Sequence, residues 1–121
     1  MYELTVNMDF AAAHMLRGYK GKCENLHGHN WKVQVQVKAR SLDRQGMVMD
    51  FKDVKDVAAE LLEKFDHRCL NELPEFSKTN PTTENVARIL YRQLSNKLRK
   101  GAKVSKVTAW ESDGCGASYW E

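Results

Sequence analysis

The chain has 121 residues, of which 42% are hydrophobic and 29% charged, so it fits one globular domain over residues 1–121 and is not a disordered chain. Its net charge of +3 is too small to indicate nucleic-acid binding, although it suits an anionic small molecule. Three widely spaced cysteines indicate a reducing compartment. The N-terminus does not resemble a signal peptide, and no apolar run approaches the ~20 residues of a membrane span. We therefore expect a soluble cytoplasmic protein.

Alternation of apolar and polar residues predicts two β-strands in the first third of the chain. They cover residues 2–10 and residues 31–39, and we expect them to pair antiparallel. The segment between them is polar and contains Gly18, Gly21 and Gly28, so it is predicted to be a loop.

Two amphipathic helices are predicted in the middle of the chain. Asp50 caps the first helix, in which apolar residues recur at three- and four-residue steps from Phe51 onward. Thr82 or Thr83 caps the second helix, which ends before Gly101.

The C-terminal region predicts two further strands, residues 103–111 and residues 117–121, with a hairpin signal at Asp113-Gly114. The order ββααββ predicts an α+β fold, in which both helices cover one face of a four-stranded antiparallel sheet. Neither edge of this sheet is blocked by proline, so edge pairing between subunits is expected.

The segment "CENLHGHNW", residues 23–31, raises the question of a metal site. In an extended segment His27 and His29 project to the same side, so both can bind one cation. If the first two strands pair, His14 at the end of the first strand lies beside them. Three neutral histidines with an open fourth position are typical of a catalytic zinc site. The alternative, a polar loop that binds nothing, stays open for the histidine pair alone.

Cys23 could be a fourth zinc ligand, a catalytic thiol or an inert cysteine. A nearby cation lowers the pKa of a thiol, and the spacing to His27 differs from that of structural zinc sites. We therefore favour a base or nucleophile. Cys69 and Cys115 are interpreted as structural residues.

Three further residues have both a structural and a functional interpretation. His67 could be a favourable charge at a helix C-terminus, or Asp66 could make it a proton relay. Glu111 could be solvated, or it could hold a guanidine-like group by two parallel hydrogen bonds.

Taken together, six motifs resemble the family of 6-pyruvoyl-tetrahydropterin synthase and 6-carboxy-tetrahydropterin synthase. In chain order they are "FAAAHML", "GKCENLHGHNW", "MDF", "FDHRCLN", "NPTTENVA" and "VTAWES". The resemblance covers nearly the whole chain and implies the tunnelling fold, in which subunits join edge to edge into barrels, here as a homohexamer.

The resemblance also implies a role for each site residue. Zinc is bound by His14, His27 and His29. Cys23 is the thiolate general base, and Asp66 and His67 are its proton-relay partners. Glu111 anchors the pterin ring through its 2-amino and N3 edge. Because sites in this family form at subunit contacts, Asp66 and His67 can come from a neighbouring chain.

The implied substrate is 7,8-dihydroneopterin triphosphate. Three residues lie between Cys23 and His27, a short spacing that resembles the bacterial 6-carboxy enzymes of the queuosine pathway. The expected activity is that of a zinc-dependent lyase, which forms 6-carboxy-5,6,7,8-tetrahydropterin and releases triphosphate and acetaldehyde. The open alternatives are a 6-pyruvoyl product from the same substrate and a non-catalytic pterin-binding oligomer.

Overall fold

The structure is a computed structural model that describes residues 1–19, 25–98 and 101–121. Its elements are β1 (Tyr2–His14), β2 (His27–Ala39), α1 (Phe51–Glu63), β3 (Arg68–Cys69), α2 (Thr83–Lys97), β4 (Lys103–Ser112) and β5 (Cys115–Tyr119). The five strands form one sheet in the order β3-β1-β2-β4-β5. The predicted α+β fold is confirmed. The sheet has one strand more than predicted. β3 was not predicted because a strand of two residues is too short to show a periodic pattern.

The long strands pair antiparallel, and β3 lies parallel to β1. β1 and β2 both extend further than the alternation predicts, so the loop between them begins after His14 and ends before His27. The register places His14 opposite His27 and Ala12 opposite His29. The predicted side-by-side arrangement of the two strand ends is therefore present.

The hydrophobic core lies between the two helices and one face of the sheet. Its largest fully buried side chain is Trp31, which stacks on Phe10 with ring centroids 5.7 Å apart. Side-chain oxygens cap both helices, because Asp50 accepts from the Lys52 N–H at 2.8 Å and Thr82 from the Asn85 N–H at 3.1 Å. These caps satisfy backbone donors in the first turn of each helix, and they confirm the predicted starts of both helices.

Helix α1 ends before the last apolar residue of its buried face, Phe65. The helix ends at Glu63, and the N–H groups of Lys64 and Phe65 bond three residues back, which tightens the last turn. His67 then has a φ of 57°, in the left-handed region, and cannot continue a helix. The interpretation that places His67 at the C-terminus of a helix is therefore wrong, since Asp66 and His67 lie in the turn that leads to β3.

The sheet has two unequal edges. β5 forms one edge, and β3 covers only Ala12 and Ala13 at the other. Within the described ranges, the outer edge of β1 from Tyr2 to Phe10 therefore has no strand neighbour. No helix of the described chain is both long and apolar enough to cross a membrane.

A β-bulge interrupts the last hairpin. Trp110 lies opposite Gly116 and Ser112 opposite Cys115, which leaves Glu111 without a partner. A bulge bends its strand and redirects the side chain of the extra residue. The indole ring of Trp110 covers Gly116, because a Cβ at residue 116 would lie 2.5 Å from the Trp110 Cε3 atom.

Replacement of Gly116 by alanine is expected to displace Trp110 and to lower the free energy of unfolding by about 1–3 kcal/mol, the usual cost of overpacking. Denaturant unfolding and tryptophan fluorescence measure the two effects. Gly114→Ala is the matched control, because a Cβ there meets nothing within 4 Å. Equal stability of the two variants would contradict this packing.

Candidate metal centre and active site

The three predicted histidines lie together where β1 ends and β2 begins. His14 is the last residue of β1, and His27 and His29 share one face of β2 because they are two residues apart. One ring nitrogen from each histidine lies within 4.8 Å of those of the other two. The structure thus groups these residues, while their binding of a metal stays a prediction.

Two backbone carbonyls determine which ring nitrogens are free. The Nδ1 of His14 lies 2.7 Å from the Pro81 oxygen, and the Nδ1 of His27 lies 2.6 Å from the Asn25 oxygen. A carbonyl oxygen only accepts, so Nδ1 carries the proton in both rings and donates it. In the neutral imidazole this arrangement leaves the lone pair on Nε2, which is the tautomer that metal ligands adopt.

Two ring nitrogens of the cluster lack hydrogen-bond partners among the described residues. They are the buried Nε2 atoms of His14 and His29. Since buried polar atoms are almost always paired, two such atoms in one cluster are compatible with metal ligands. Three imidazoles suit zinc and similar transition metals, whereas magnesium and calcium prefer oxygen. The residues therefore fit a zinc-type ion.

Burial also favours the form that binds a metal. His14 is only 1% exposed, and this desolvation lowers its pKa, against the opposing effects of the Pro81 carbonyl and Glu111. A lowered pKa keeps the imidazole neutral near pH 7. Because metal ions compete with protons for the ring nitrogen, a neutral His14 is ready to bind.

Trp31 forms the floor of the histidine cluster. Its ring centroid lies 5.0 Å from that of His14 and 5.7 Å from that of His29, both nearly perpendicular. Its indole N–H donates to the Ala12 oxygen at 3.3 Å, which fixes the ring. The alternation predicts Trp31 only as an apolar strand position. Its spacing of two residues from His29 is the signal that identifies the contact, because alternation places both side chains on one face of β2.

Glu111 faces the same cluster. Its two carboxylate oxygens lie 3.7 Å from the His14 Nε2 and 3.9 Å from the His29 Nε2. These distances are too long for hydrogen bonds, and the side chain is 29% exposed. Glu111 is therefore at the rim of the histidine cluster rather than on the open surface, and its pterin-anchoring role stays a prediction.

Asp66 and His67 form a second group at the outer edge of β1. One oxygen of Asp66 accepts from the Ala11 N–H at 2.8 Å, and the other lies 3.0 Å from the His67 Nδ1. These contacts, the Ala11 N–H first and then His67, lower the pKa of Asp66. The His67 side chain is 83% exposed. Among the described residues, no hydrogen bond or ion pair joins this pair to the three histidines, although His67 and His29 line one open cavity of about 440 Å³.

The cysteines divide into two cases. Cys23, the predicted base, lies outside the described residues. Cys69 and Cys115 are free thiols, the first partly buried in β3 and the second exposed at the start of β5.

Sequence comparison gives the family to which this site belongs. The profile of the 6-pyruvoyl tetrahydropterin synthase family matches residues 3–121. The chain belongs to this family. The match covers nearly the whole length, and it confirms the resemblance inferred from the motifs.

Relatives in the family carry different reaction names. A Rickettsia felis protein named 6-carboxy-5,6,7,8-tetrahydropterin synthase is 31% identical over 134 residues, covering 95% of this chain and 97% of its own. A Pyrococcus furiosus dihydroneopterin monophosphate aldolase is 33% identical over 107 residues, covering 88% and 87%. The solved structure of Caenorhabditis elegans 6-pyruvoyl tetrahydropterin synthase superposes with a TM-score of 0.91 at 28% identity, covering 99% of this chain and 95% of its own. The chain is thus an enzyme of the pterin synthase family.

Replacement of His27 or His29 by alanine is expected to remove about one zinc ion per chain and to leave the protein folded, because the site is not the core. Elemental analysis and circular dichroism measure these effects. His67→Ala serves as the matched control, since it removes a histidine outside the cluster and should retain the metal. Full zinc retention in both cluster variants would exclude these residues as ligands.

Proposed function

We propose that this protein is a zinc-dependent lyase that converts 7,8-dihydroneopterin triphosphate to 6-carboxy-5,6,7,8-tetrahydropterin and releases triphosphate and acetaldehyde. This reaction would serve the synthesis of queuosine and related 7-deazapurines. The observation that carries the proposal is the histidine cluster, in which no described residue hydrogen-bonds to the Nε2 atoms of His14 and His29, and Glu111 lies beside them. The Rickettsia felis relative, which bears the name of this synthase, supports it.

The histidines would hold the metal through Nε2, since the Nδ1 atoms of His14 and His27 are bonded to carbonyls. When bound there, zinc supplies a Lewis acid that polarises the hydroxyl oxygens of the substrate side chain and makes the adjacent C–H and O–H bonds more acidic. Trp31 keeps the rings of His14 and His29 in place from the buried side.

Glu111 would orient the substrate by accepting two parallel hydrogen bonds from the 2-amino and N3–H groups of the pterin. That edge and the reacting side chain lie at opposite ends of the bicyclic ring. The Glu111 carboxylate must therefore turn away from the histidines when the side chain of the substrate reaches them. Its partial exposure and its place in the bulge of β4 are compatible with this movement.

Proton transfer would fall to Cys23 and to the Asp66–His67 pair. Because Asp66 accepts the proton of the His67 Nδ1, the Nε2 of His67 is free to take up or release a proton. The pair lies at an exposed edge of the sheet, which supports a role in a site shared with a neighbouring subunit.

We further propose that the single domain of residues 1–121 assembles into a homohexamer through its sheet edges. The outer edge of β1, where Tyr2–Phe10 has no strand neighbour in the described chain, offers unpaired backbone groups for such pairing. The free thiols of Cys69 and Cys115 support a reducing, cytoplasmic location.

Product analysis tests the function. Zinc-loaded protein is incubated separately with 7,8-dihydroneopterin triphosphate and with the monophosphate, and every product is identified by mass spectrometry. A 6-carboxy pterin with acetaldehyde from the triphosphate supports the proposal, and the His27→Ala protein should give neither. A 6-pyruvoyl product, or no product at all, would contradict it.

A second candidate, favoured by the Pyrococcus furiosus relative, is an aldolase that would cleave the monophosphate alone.

Cys23→Ala is expected to retain zinc and substrate binding while turnover falls by about 10²–10⁴, the usual contribution of a positioned general base. Single-turnover kinetics and metal analysis separate this outcome from the loss of zinc that a ligand would show. Cys115→Ala, at an exposed thiol, is the control and should keep full activity. Undiminished turnover in the Cys23 variant would remove the thiol from the mechanism.

Glu111→Ala is expected to retain zinc and to bind the pterin more weakly, because water cannot replace two parallel hydrogen bonds without cost. Equilibrium binding of a dihydropterin measures the change. The control is Glu63→Ala, at an exposed carboxylate of α1. If substrate affinity stays the same and zinc is lost instead, Glu111 acts at the metal and not on the pterin.

The wild-type protein is expected to be a hexamer at micromolar concentration by light scattering. Thr5→Pro should give a smaller species. The Thr5 N–H points to the outer edge of β1, as does that of Ala11, and proline cannot donate a hydrogen bond. Thr5→Val keeps the N–H and should remain hexameric. A wild-type monomer would contradict the proposed assembly.

A further inference from the structure

Two asparagine side chains hold the chain segment that follows His14. The Asn71 carboxamide accepts from the Met15 N–H and donates to the Met15 oxygen, both at 2.9 Å. The Asn80 carboxamide makes the same pair of bonds with Arg17, again both at 2.9 Å. Each side chain thus copies the hydrogen bonds that a neighbouring strand would make.

These contacts continue the outer edge of β1 at every second residue. Ala11 is bonded to Asp66 and His67, and Ala13 lies opposite Cys69 of β3. Met15 and Arg17 come next on the same side. From Ala11 to Ala13 the edge is therefore occupied by Asp66, His67 and β3, and beyond Ala13 by the two asparagine side chains.

The same segment carries the carbonyl that orients His14. Asn80 precedes Pro81, whose oxygen accepts the His14 Nδ1–H at 2.7 Å. The Arg17 guanidinium donates to the carbonyl oxygens of Phe76 and Thr79. These hydrogen bonds hold the segment just before Asn80 against the segment that follows β1. The Asn85 side chain donates to the Asn80 oxygen at 2.9 Å and ties this turn to α2.

We propose that Asn71 and Asn80 are positioning residues for His14, which set the orientation of its ring toward the metal. The proposal rests on the metal site of the proposed function. His14 is the last residue of β1, and its backbone lies opposite His27. In the described part of the chain, the segment that follows it is held by the bonds of Met15 and Arg17 to the two asparagines. The two asparagines therefore determine how the His14 backbone approaches the Pro81 oxygen.

A purely structural role would have a different signature. The bonds of Asn71 and Asn80 to the backbone are solvent-exposed, and exposed hydrogen bonds contribute little to global stability because water replaces them. Their loss should affect metal binding more than folding. The direct outer partner of the His14 ring is the Pro81 oxygen, and such partners are typically worth about 10–100-fold in metal affinity, which is an upper limit for residues that act through it.

The test uses full-length Asn71→Ala, Asn80→Ala and the double variant, with Asn96→Ala on the exposed face of α2 as the matched control. Zinc affinity is measured by competition with a chromophoric chelator. The visible spectrum of the cobalt-substituted protein reports the ligand geometry, and amide exchange at Met15 and Arg17 reports the local contacts. Thermal unfolding of the metal-free protein reports stability.

We expect the double variant to bind zinc more weakly, by about tenfold, the lower end of the range for a direct outer partner, with a changed cobalt spectrum and faster exchange at Met15 and Arg17. Asn96→Ala should match the wild type in every measurement. Val104→Ala, a buried position of β4, provides a destabilised protein with an intact site.

Unchanged zinc affinity in a double variant with fast exchange at Met15 and Arg17 would overturn the proposal. So would an equal loss of affinity in Val104→Ala, because the effect would then follow from stability alone. A wild-type protein that binds no zinc would overturn both this inference and the proposed function. Normal wild-type binding with unaffected variants overturns only the inference.

Discussion

The pairing register of β1 with β2 is the constraint on which the rest of the site depends. It sets His14 directly opposite His27. His29 is two residues further along β2, opposite Ala12, and lies on the same face of the sheet. Because side chains alternate along a strand, a slip of one residue would send the imidazoles to the opposite face. The register is itself fixed by core residues on the same strands, where Phe10 lies opposite the fully buried Trp31.

Irregular backbone surrounds this regular pairing. The bulge in β4 turns Glu111 toward the cluster, and the left-handed conformation of His67 ends the turn after α1. Side-chain amides of Asn71 and Asn80 replace a strand beyond β3. Such departures from ideal geometry cost free energy and are concentrated at functional sites, where the surrounding structure holds them.

Part of the candidate site lies at the exposed outer edge of the sheet. Asp66 and His67 form an ion pair at 3.0 Å, yet the imidazole of His67 is largely exposed at the margin of the sheet. A general acid or base works best where water is excluded, and an exposed imidazole does not meet that condition alone. If His67 has the proposed role, a neighbouring subunit on the open edge of β1 would exclude water from its imidazole.

The sequence by itself determined the α+β class, both helix caps and the three histidines, because alternation, helical spacing and capping are local properties that appear in consecutive residues. It also carried the motifs that define the family. Only the tertiary structure decided which carbonyl orients His14, where Glu111 points, and that Asn71 and Asn80 extend an edge. Those contacts join residues 55–67 positions apart or depend on a bulge, as for Ala11 with Asp66 and His14 with Pro81. No local pattern records such distant partners, because they are set by how the elements pack.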